Sequence, residues 1–341
     1  WLCNDPPVER DAVQQWLIDN GVITRASKNW GAYISKAPGN VVAPYAIGDV
    51  DRTHKLVELL LPRVIDRGMD AAYQRELQLM PILHRMTQRG VRIDRNTLID
   101  DYVKTQQLLH SIDTIVCEMI GAPGLNLDAN EDLADALDKA GKVKQWGYTP
   151  KGHRKTSREA LIANLNDPEL AHKLAYRGQL ATVTGTFMEP WIELSHGDGR
   201  LHPEWNQIRG DHGGGTRTGR LSSSNPNFQN IPGDAQLPPP EGWPPIPNMR
   251  SYVLPENGEL FVSADFHSQE IRILGHYAEG GIEKIYRENA DADVHAEVMK
   301  MVKARTGREL SRKTTKAVVF SLIYGAGPTS IAARIGTTVG E

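Results

Sequence analysis

The chain has 341 residues, 40% hydrophobic and 24% charged, a balance that excludes disorder and provides for about two domains or one large one. Its formal net charge of -3 excludes a uniformly basic coat for nucleic acid, so any polyanion site must be local. The apolar runs fall far short of the ~20 residues that a membrane span needs, and Cys3 and Cys117 offer neither a disulfide framework nor a thiolate metal site. A soluble protein of a reducing, cytoplasmic compartment is expected. The start at Trp1, with no leader pattern, reads as a piece of something longer.

Two helices are predicted between about Leu56 and Arg89. The second carries Tyr73, Leu77, Met80, Leu83 and Met86 at helical spacing, with a kink at Pro81 and a stop at Gly90. Val91-Arg92-Ile93 reads as extended. Asp94 then caps a long helix with Leu98, Tyr102, Leu109, Ile112, Val116 and Met119 on its apolar face. Between Lys142 and Arg158 stand Lys144, Lys151, Arg154 and Lys155 with Trp146 and Tyr148, and no acid. Such a loop suits a phosphate backbone, or is a solvated basic surface. Helical periodicity resumes at Arg158 and runs past Tyr176, Leu180 and Phe187 to Trp191.

Beyond residue 200 Gly, Ser, Asn and Pro predict turns and loops, with Pro232 to Pro247 a surface insertion or, at Pro238-Pro239-Pro240, a proline-rich ligand for a partner. Leu260-Phe261-Val262-Ser263-Ala264 reads as a buried strand that delivers Asp265, after which Ser268 caps a helix holding Glu270, Ile271, Arg272 and Leu274. A carboxylate at a strand end, beside backbone carbonyls, offers the hard oxygen ligands Mg²⁺ takes, or is an ordinary capping aspartate. From Asp293 the chain is helical and basic, and Arg312, Lys316, Phe320 and Tyr324 recur at four-residue steps. Four residues turn a helix by about 400°, so the set follows one slowly drifting face. Two cations able to hold a triphosphate precede two aromatics able to stack on a base; the alternative is a plain amphipathic surface helix. Gly325, Gly327 and Pro328 predict its stop.

The string Thr218-Gly219-Arg220-Leu221-Ser222-Ser223-Ser224-Asn225-Pro226-Asn227-Phe228-Gln229-Asn230-Ile231-Pro232 resembles the primer-template segment of family A DNA polymerases. The Asp265 strand resembles that family's motif A, and Arg-x3-Lys-x3-Phe-x3-Tyr-Gly from Arg312 resembles its motif B. On these three patterns, in the family's order, the chain is identified as a member from about Tyr45 to Gly327. The resemblance implies an α+β right-hand polymerase. Residues 1–67 would be the C-terminal end of a 3'-5' exonuclease domain and 68–200 a helical thumb. Residues 201–275 would be the first part of a palm with an antiparallel sheet, and 276–341 part of the helical fingers. It also implies template-directed addition of deoxynucleotides to a primer 3' end with two Mg²⁺ ions, on primer-template DNA with deoxynucleoside triphosphates. The setting would be a bacterial host cytoplasm, with a phage source favoured.

By that resemblance Asp265 and the Phe266 carbonyl bind metal, Glu270 is a steric gate against ribonucleotides, and Arg312, Lys316 and His295 hold the triphosphate. Phe320 would pack on the sugar and Tyr324 lie beside the templating base. Arg220 would probe the minor groove at the primer terminus, with Gln229 and Asn230 near template and primer, and Lys151, Arg154 and Lys155 are expected on the DNA backbone. Tyr45-Ala46-Ile47-Gly48-Asp49 resembles the third exonuclease motif, Tyr45 orienting a water and Asp49 binding metal. Phe266-His267-Ser268-Gln269 departs from the family's commoner Tyr-Ser-Gln-Ile. No His-Asp-Glu string, the family's motif C with its second palm carboxylate, occurs in the sequence. The expectation is therefore a truncated or split polymerase, inactive until joined by a C-terminal piece that carries motif C. A non-catalytic DNA-binding remnant and a part of a proofreading exonuclease are the alternatives.

Overall fold

Apolar residues three and four apart dictate most of the secondary structure. The computed structural model describes residues 5–24, 29–209, 214–233, 237–278 and 280–339. The chain divides between Leu260 and Phe261 into two units, each described by itself.

In the first unit, α1 (Val8–Asp19) packs on α2 (Gly39–Asp66) around Val13, Leu17 and Ile23. α2 starts well before Leu56, which sets Tyr45 and Asp49 one turn apart on a helix. α3 (Asp70–Arg89) runs through Pro81 and stops at Gly90, whose φ is 64°. A Cβ there would come within 2.7 Å of the His202 ring, so position 90 takes glycine on two counts. Of the predicted α3 stripe Leu83 is buried, whereas Leu77 and Met80 line a cavity of about 440 Å³ with Val64, Met69 and Ile208.

β1 (Val91–Arg92) pairs antiparallel with β2 (Arg200–Leu201), Val91 opposite Leu201. Asp94 caps α4 (Arg95–Ile120) as its position predicts, accepting from the Thr97 N–H at 3.1 Å. After α5 (Asn130–Lys139) and α6 (Arg158–Asn164) comes α7 (Pro168–Thr182), whose Leu170, Leu174 and Leu180 share a core with Leu98, Ile112 and Val116 of α4. The periodicity that starts at Arg158 is interrupted where Asp167 caps α7 through the Leu170 N–H at 3.0 Å. It then passes through a π-helical turn (Val183–Met188) into α8 (Glu189–Leu194). Arg177 sits buried in α7, donates to Asp113 at 2.8 Å and pairs with Asp128. The hydrogen bond from Arg177 holds the Asp128 carboxyl below the usual aspartate range.

β3 (Glu204–Asn206) and β4 (Ser222–Ser224) form a second two-stranded antiparallel sheet. The proline-rich stretch keeps Pro238, Glu241, Pro244 and Pro245 exposed, yet it is anchored. Trp243 packs on Tyr176 at 5.3 Å, the Tyr176 hydroxyl donates to the Pro244 carbonyl at 2.6 Å, and Ile246 is buried. The apolar residues between the prolines join it to the α4–α7 core.

The second unit holds α9 (Gln269–Ala278), α10 (Gly281–Glu288), α11 (Val294–Thr306), α12 (Arg312–Ile323) and α13 (Pro328–Ile335) around Ile271, Val294 and Val319. The buried strand expected before Asp265 is absent: Leu260 and Val262 are 88% and 91% exposed and in no strand. An apolar run becomes a strand where neighbouring strands take up its N–H and C=O groups, and among the described residues none pairs with it. α12 stops before Gly325, as the glycines and Pro328 predict, and Pro328 then opens α13, because the first helical position needs no N–H. Among the described residues no helix is long and apolar enough to cross a membrane.

Candidate active site

Ser311 caps α12 by accepting from the Thr314 N–H at 3.1 Å, which makes Arg312 the first helical residue. Asp293 caps α11, its Oδ1 accepting from the His295 and Ala296 N–H groups at 3.0 and 3.3 Å. The Arg312 guanidinium donates from Nε to Asp293 Oδ2 at 3.1 Å, with Nη2 3.0 Å from the same oxygen. His295, in the first turn of α11, is buried with its ring 6.0 Å from that of Phe320. One turn beyond Arg312, the Lys316 Nζ lies 5.8 Å from the Phe320 ring centroid, within cation–π range. The spacing of the sequence thus brings His295, Arg312, Lys316 and Phe320 together across α11 and α12. Tyr324 stands just past the end of α12, exposed.

Burial pushes the His295 imidazole below its ordinary value, with Arg312 and Lys316 acting in the same direction and Asp293 against them. Its Nδ1 has no hydrogen-bond partner among the described residues. For Asp293 desolvation works upward, and the bonds from Arg312 and the α11 N–H groups outweigh it, leaving the carboxyl below the usual range. Two cations, an imidazole and an aromatic ring gathered across α11 and α12 suit a polyanion attached to a flat or sugar-like group.

Asp265 lies exposed on the irregular segment before α9, Phe266 beside it is also exposed, and Glu270 is half-buried in the first turn of α9. Arg272 is held in place: its Nε donates to the His267 carbonyl at 2.8 Å and its guanidinium lies 4.4 Å over the Tyr286 ring. Among the described residues no group of three or more His, Cys, Asp or Glu could hold a metal ion. One carboxylate and one backbone carbonyl do not make a donor set for two Mg²⁺ ions, so the described residues by themselves do not fit that centre.

In the first unit, Gln229 and Asn230 end a short 3₁₀ turn (Phe228–Asn230) whose Phe228 stacks on Trp191 at 5.4 Å and 7°. The Gln229 side chain donates to the Leu221 carbonyl at 3.0 Å. Arg220 is exposed just before β4, its carbonyl accepting from the Thr216 hydroxyl at 2.6 Å. The basic loop folds as a small hairpin with Tyr148 opposite Arg154. Acid-free in sequence, the loop meets three acids in space. Arg154 reaches Glu131 at 2.9 Å, Asp135 at 2.5 Å and Asp138 at 2.8 Å on α5, and these carboxylates raise its pKa. Arg154, expected on a DNA phosphate, clasps the hairpin to α5, while Lys151 and Lys155 are exposed. On α2, a hydrogen bond to Asp49 raises the Tyr45 hydroxyl, and Asp49 is also 3.1 Å from Arg52, which reaches Glu9 at 2.9 Å.

Asp293 and the α5 carboxylates escape the sequence reading. Asp two residues before a helical His is legible as a cap, but its bond to a residue 19 positions on carries no local signal.

Among the described residues the fold is mostly helical with two small antiparallel sheets. The model of DNA polymerase family A matches residues 96–341, and the chain belongs to that family. It is 29% identical over 318 residues to DNA polymerase I of Chloroflexus aurantiacus, a match covering 89% of this chain and 31% of that one. It is 28% identical over 333 residues to DNA polymerase DpoZ of Vibrio phage phiVC8, covering 93% of this chain and 50% of that one. Among solved structures, the POL domain of Pol1 from M. smegmatis, in complex with DNA primer-template and dNTP, matches with a TM-score of 0.69 at 21% identity. That match covers 88% of this chain and 50% of the other, and shows a partial right-hand polymerase fold. The chain spans between about a third and a half of the length of these relatives.

Proposed function

We propose that the chain supplies the thumb, the first part of the palm and part of the fingers of a DNA-directed DNA polymerase acting in replication or repair. The parts divide as 68–200, 201–275 and 276–341, after an exonuclease end over 1–67 that includes Tyr45 and Asp49. The observation that carries this reading is the meeting of His295, Arg312, Lys316 and Phe320 on α11 and α12. When a primer 3' oxygen attacks the α-phosphorus of a deoxynucleoside triphosphate, negative charge grows on the departing pyrophosphate. Arg312 and Lys316 stand where two positioned cations would stabilise it. Phe320 is then the surface for the sugar, Tyr324 lies next to the templating base, and Glu270 closes the space at the 2' carbon.

Primer-template DNA would lie along Arg220, Gln229 and Asn230 and across the hairpin of Lys151 and Lys155. The palm chemistry calls for a second carboxylate beside Asp265, and a C-terminal piece that carries it is the partner this reading requires. The metal would be Mg²⁺, two ions in the complete enzyme, held by both carboxylates together.

Primer-template binding tests the reading at once. The 341-residue chain should bind with a strong salt dependence, because protein cations release counterions from the phosphates. Neutralising Lys151 and Lys155 together should lower the magnitude of the log-log salt slope by about 1 for each phosphate that is no longer neutralised, whereas Arg154→Ala should loosen the hairpin. A slope unchanged by the double lysine variant would remove the hairpin from the DNA path.

In the assembled polymerase, Glu270→Ala should admit ribonucleotides and Phe320→Tyr should admit dideoxynucleotides by offering a hydroxyl where the 3' one is missing. Incorporation of the three nucleotide types by parent and variants measures both. Unchanged selectivity in the two variants would mean that α9 and α12 do not carry these roles.

A further inference from the structure

The two helices that carry the candidate triphosphate ligands are tied by one carboxylate outside the set legible in the sequence. Asp293 uses Oδ1 on the N–H groups of His295 and Ala296 and Oδ2 on the Nε and Nη2 edge of Arg312. A guanidinium is a rigid planar fork of five N–H donors, so a partner on one edge fixes its plane and leaves the Nη1 side open. The exposures agree: the Arg312 side chain is 62% exposed while that of Asp293 is 35% exposed. We propose that Asp293 is a positioning residue for the nucleotide triphosphate. It holds the Arg312 guanidinium in one orientation with Nη1 presented to the phosphates, and through its other oxygen keeps His295 beside that face. The proposal rests on the reading of this face as the nucleotide site. It is distinct from simple competition, in which Asp293 would occupy Arg312 in place of phosphate and its removal would tighten binding.

The test is equilibrium binding of dATP and of deoxyadenosine monophosphate to the full 341-residue chain and to Asp293→Asn. Asparagine caps a helix about as well as aspartate, so α11 keeps its start while the ion pair goes; Asp293→Ser is the second capping variant. Affinity for dATP should fall roughly tenfold, about 1.4 kcal/mol. Affinity for the monophosphate should change by less than about twofold, because the cations serve the outer phosphates. In an Arg312→Ala background Asp293→Asn should cost dATP nothing further, the signature of a residue acting through its partner. Equal losses for the two ligands, or unchanged or tighter dATP binding in both variants, would overturn the proposal. So would loss of helical circular dichroism in both, which would make Asp293 a structural cap alone. A parent chain that binds no dATP would overturn the nucleotide-site reading itself, and the inference with it.

Discussion

Asp265→Ala is expected to lower single-turnover primer extension by the assembled polymerase by roughly a hundredfold or more, each tenfold step being about 1.4 kcal/mol of barrier. Primer-template affinity should stay close to the parent's. The reason lies in where the residue stands: Asp265 is exposed on the segment entering α9, in the unit that also holds His295, Arg312 and Lys316. Arg220, Gln229, Asn230 and the lysine hairpin lie in the other unit, before Leu260. A carboxylate that serves the reacting phosphate can therefore be lost while those groups keep the DNA. A variant that retained more than about a tenth of the parental rate would sink the assignment. If the palm centre takes its second carboxylate from a separate piece, as proposed, adding that piece should raise extension above that of the 341-residue chain. Robust extension by the chain alone, abolished by Asp265→Ala, would instead show that another carboxylate of this chain completes the centre.

What the sequence made legible was what depends on neighbours along the chain. Asp94 and its helix, the stop at Gly90 and the face of Arg312, Lys316 and Phe320 all follow from spacing of three or four residues and from caps. What escaped depends on partners distant in sequence. Leu260 to Ala264 has the composition of a buried strand, and burial is a property of its neighbours, which among the described residues do not pair with it. Arg154 looked available for phosphate because its own loop has no acid, and the three carboxylates that hold it come from α5. Asp293 marked only where a helical stretch begins, and it is also a tie between α11 and α12. The proline-rich stretch looked peripheral, yet Trp243 and Ile246 anchor it to the core. In each case the residue type was read correctly and its partner was out of reach.

Trp191→Ala should produce the largest loss of stability. Trp191 is 1% exposed in the core shared by α4 and α7, so truncation removes buried area and leaves a cavity, together about 3–5 kcal/mol. At roughly 2–4 °C per kcal/mol for a unit of this size, the melting temperature of the first unit should fall by about 10 °C. The consequence reaches the candidate DNA contacts because the indole is the platform on which Phe228 stacks, and Phe228 opens the turn that ends in Gln229 and Asn230. Phe228→Leu separates the two effects: it keeps most of the apolar volume and gives up the stacked ring, for which a loss of about 0.5–1.5 kcal/mol is expected. Calorimetry and primer-template titration on both variants give the answer. The leucine variant should melt close to the parent yet bind primer-template more weakly, through a turn less firmly held, while the alanine variant should lose both. Parental DNA affinity in a folded Phe228→Leu chain would show that the turn is positioned without the Trp191 platform, by its hydrogen bonds: Gln229 to Leu221, the residue-228 N–H to Ser223 and the Asn227 cap.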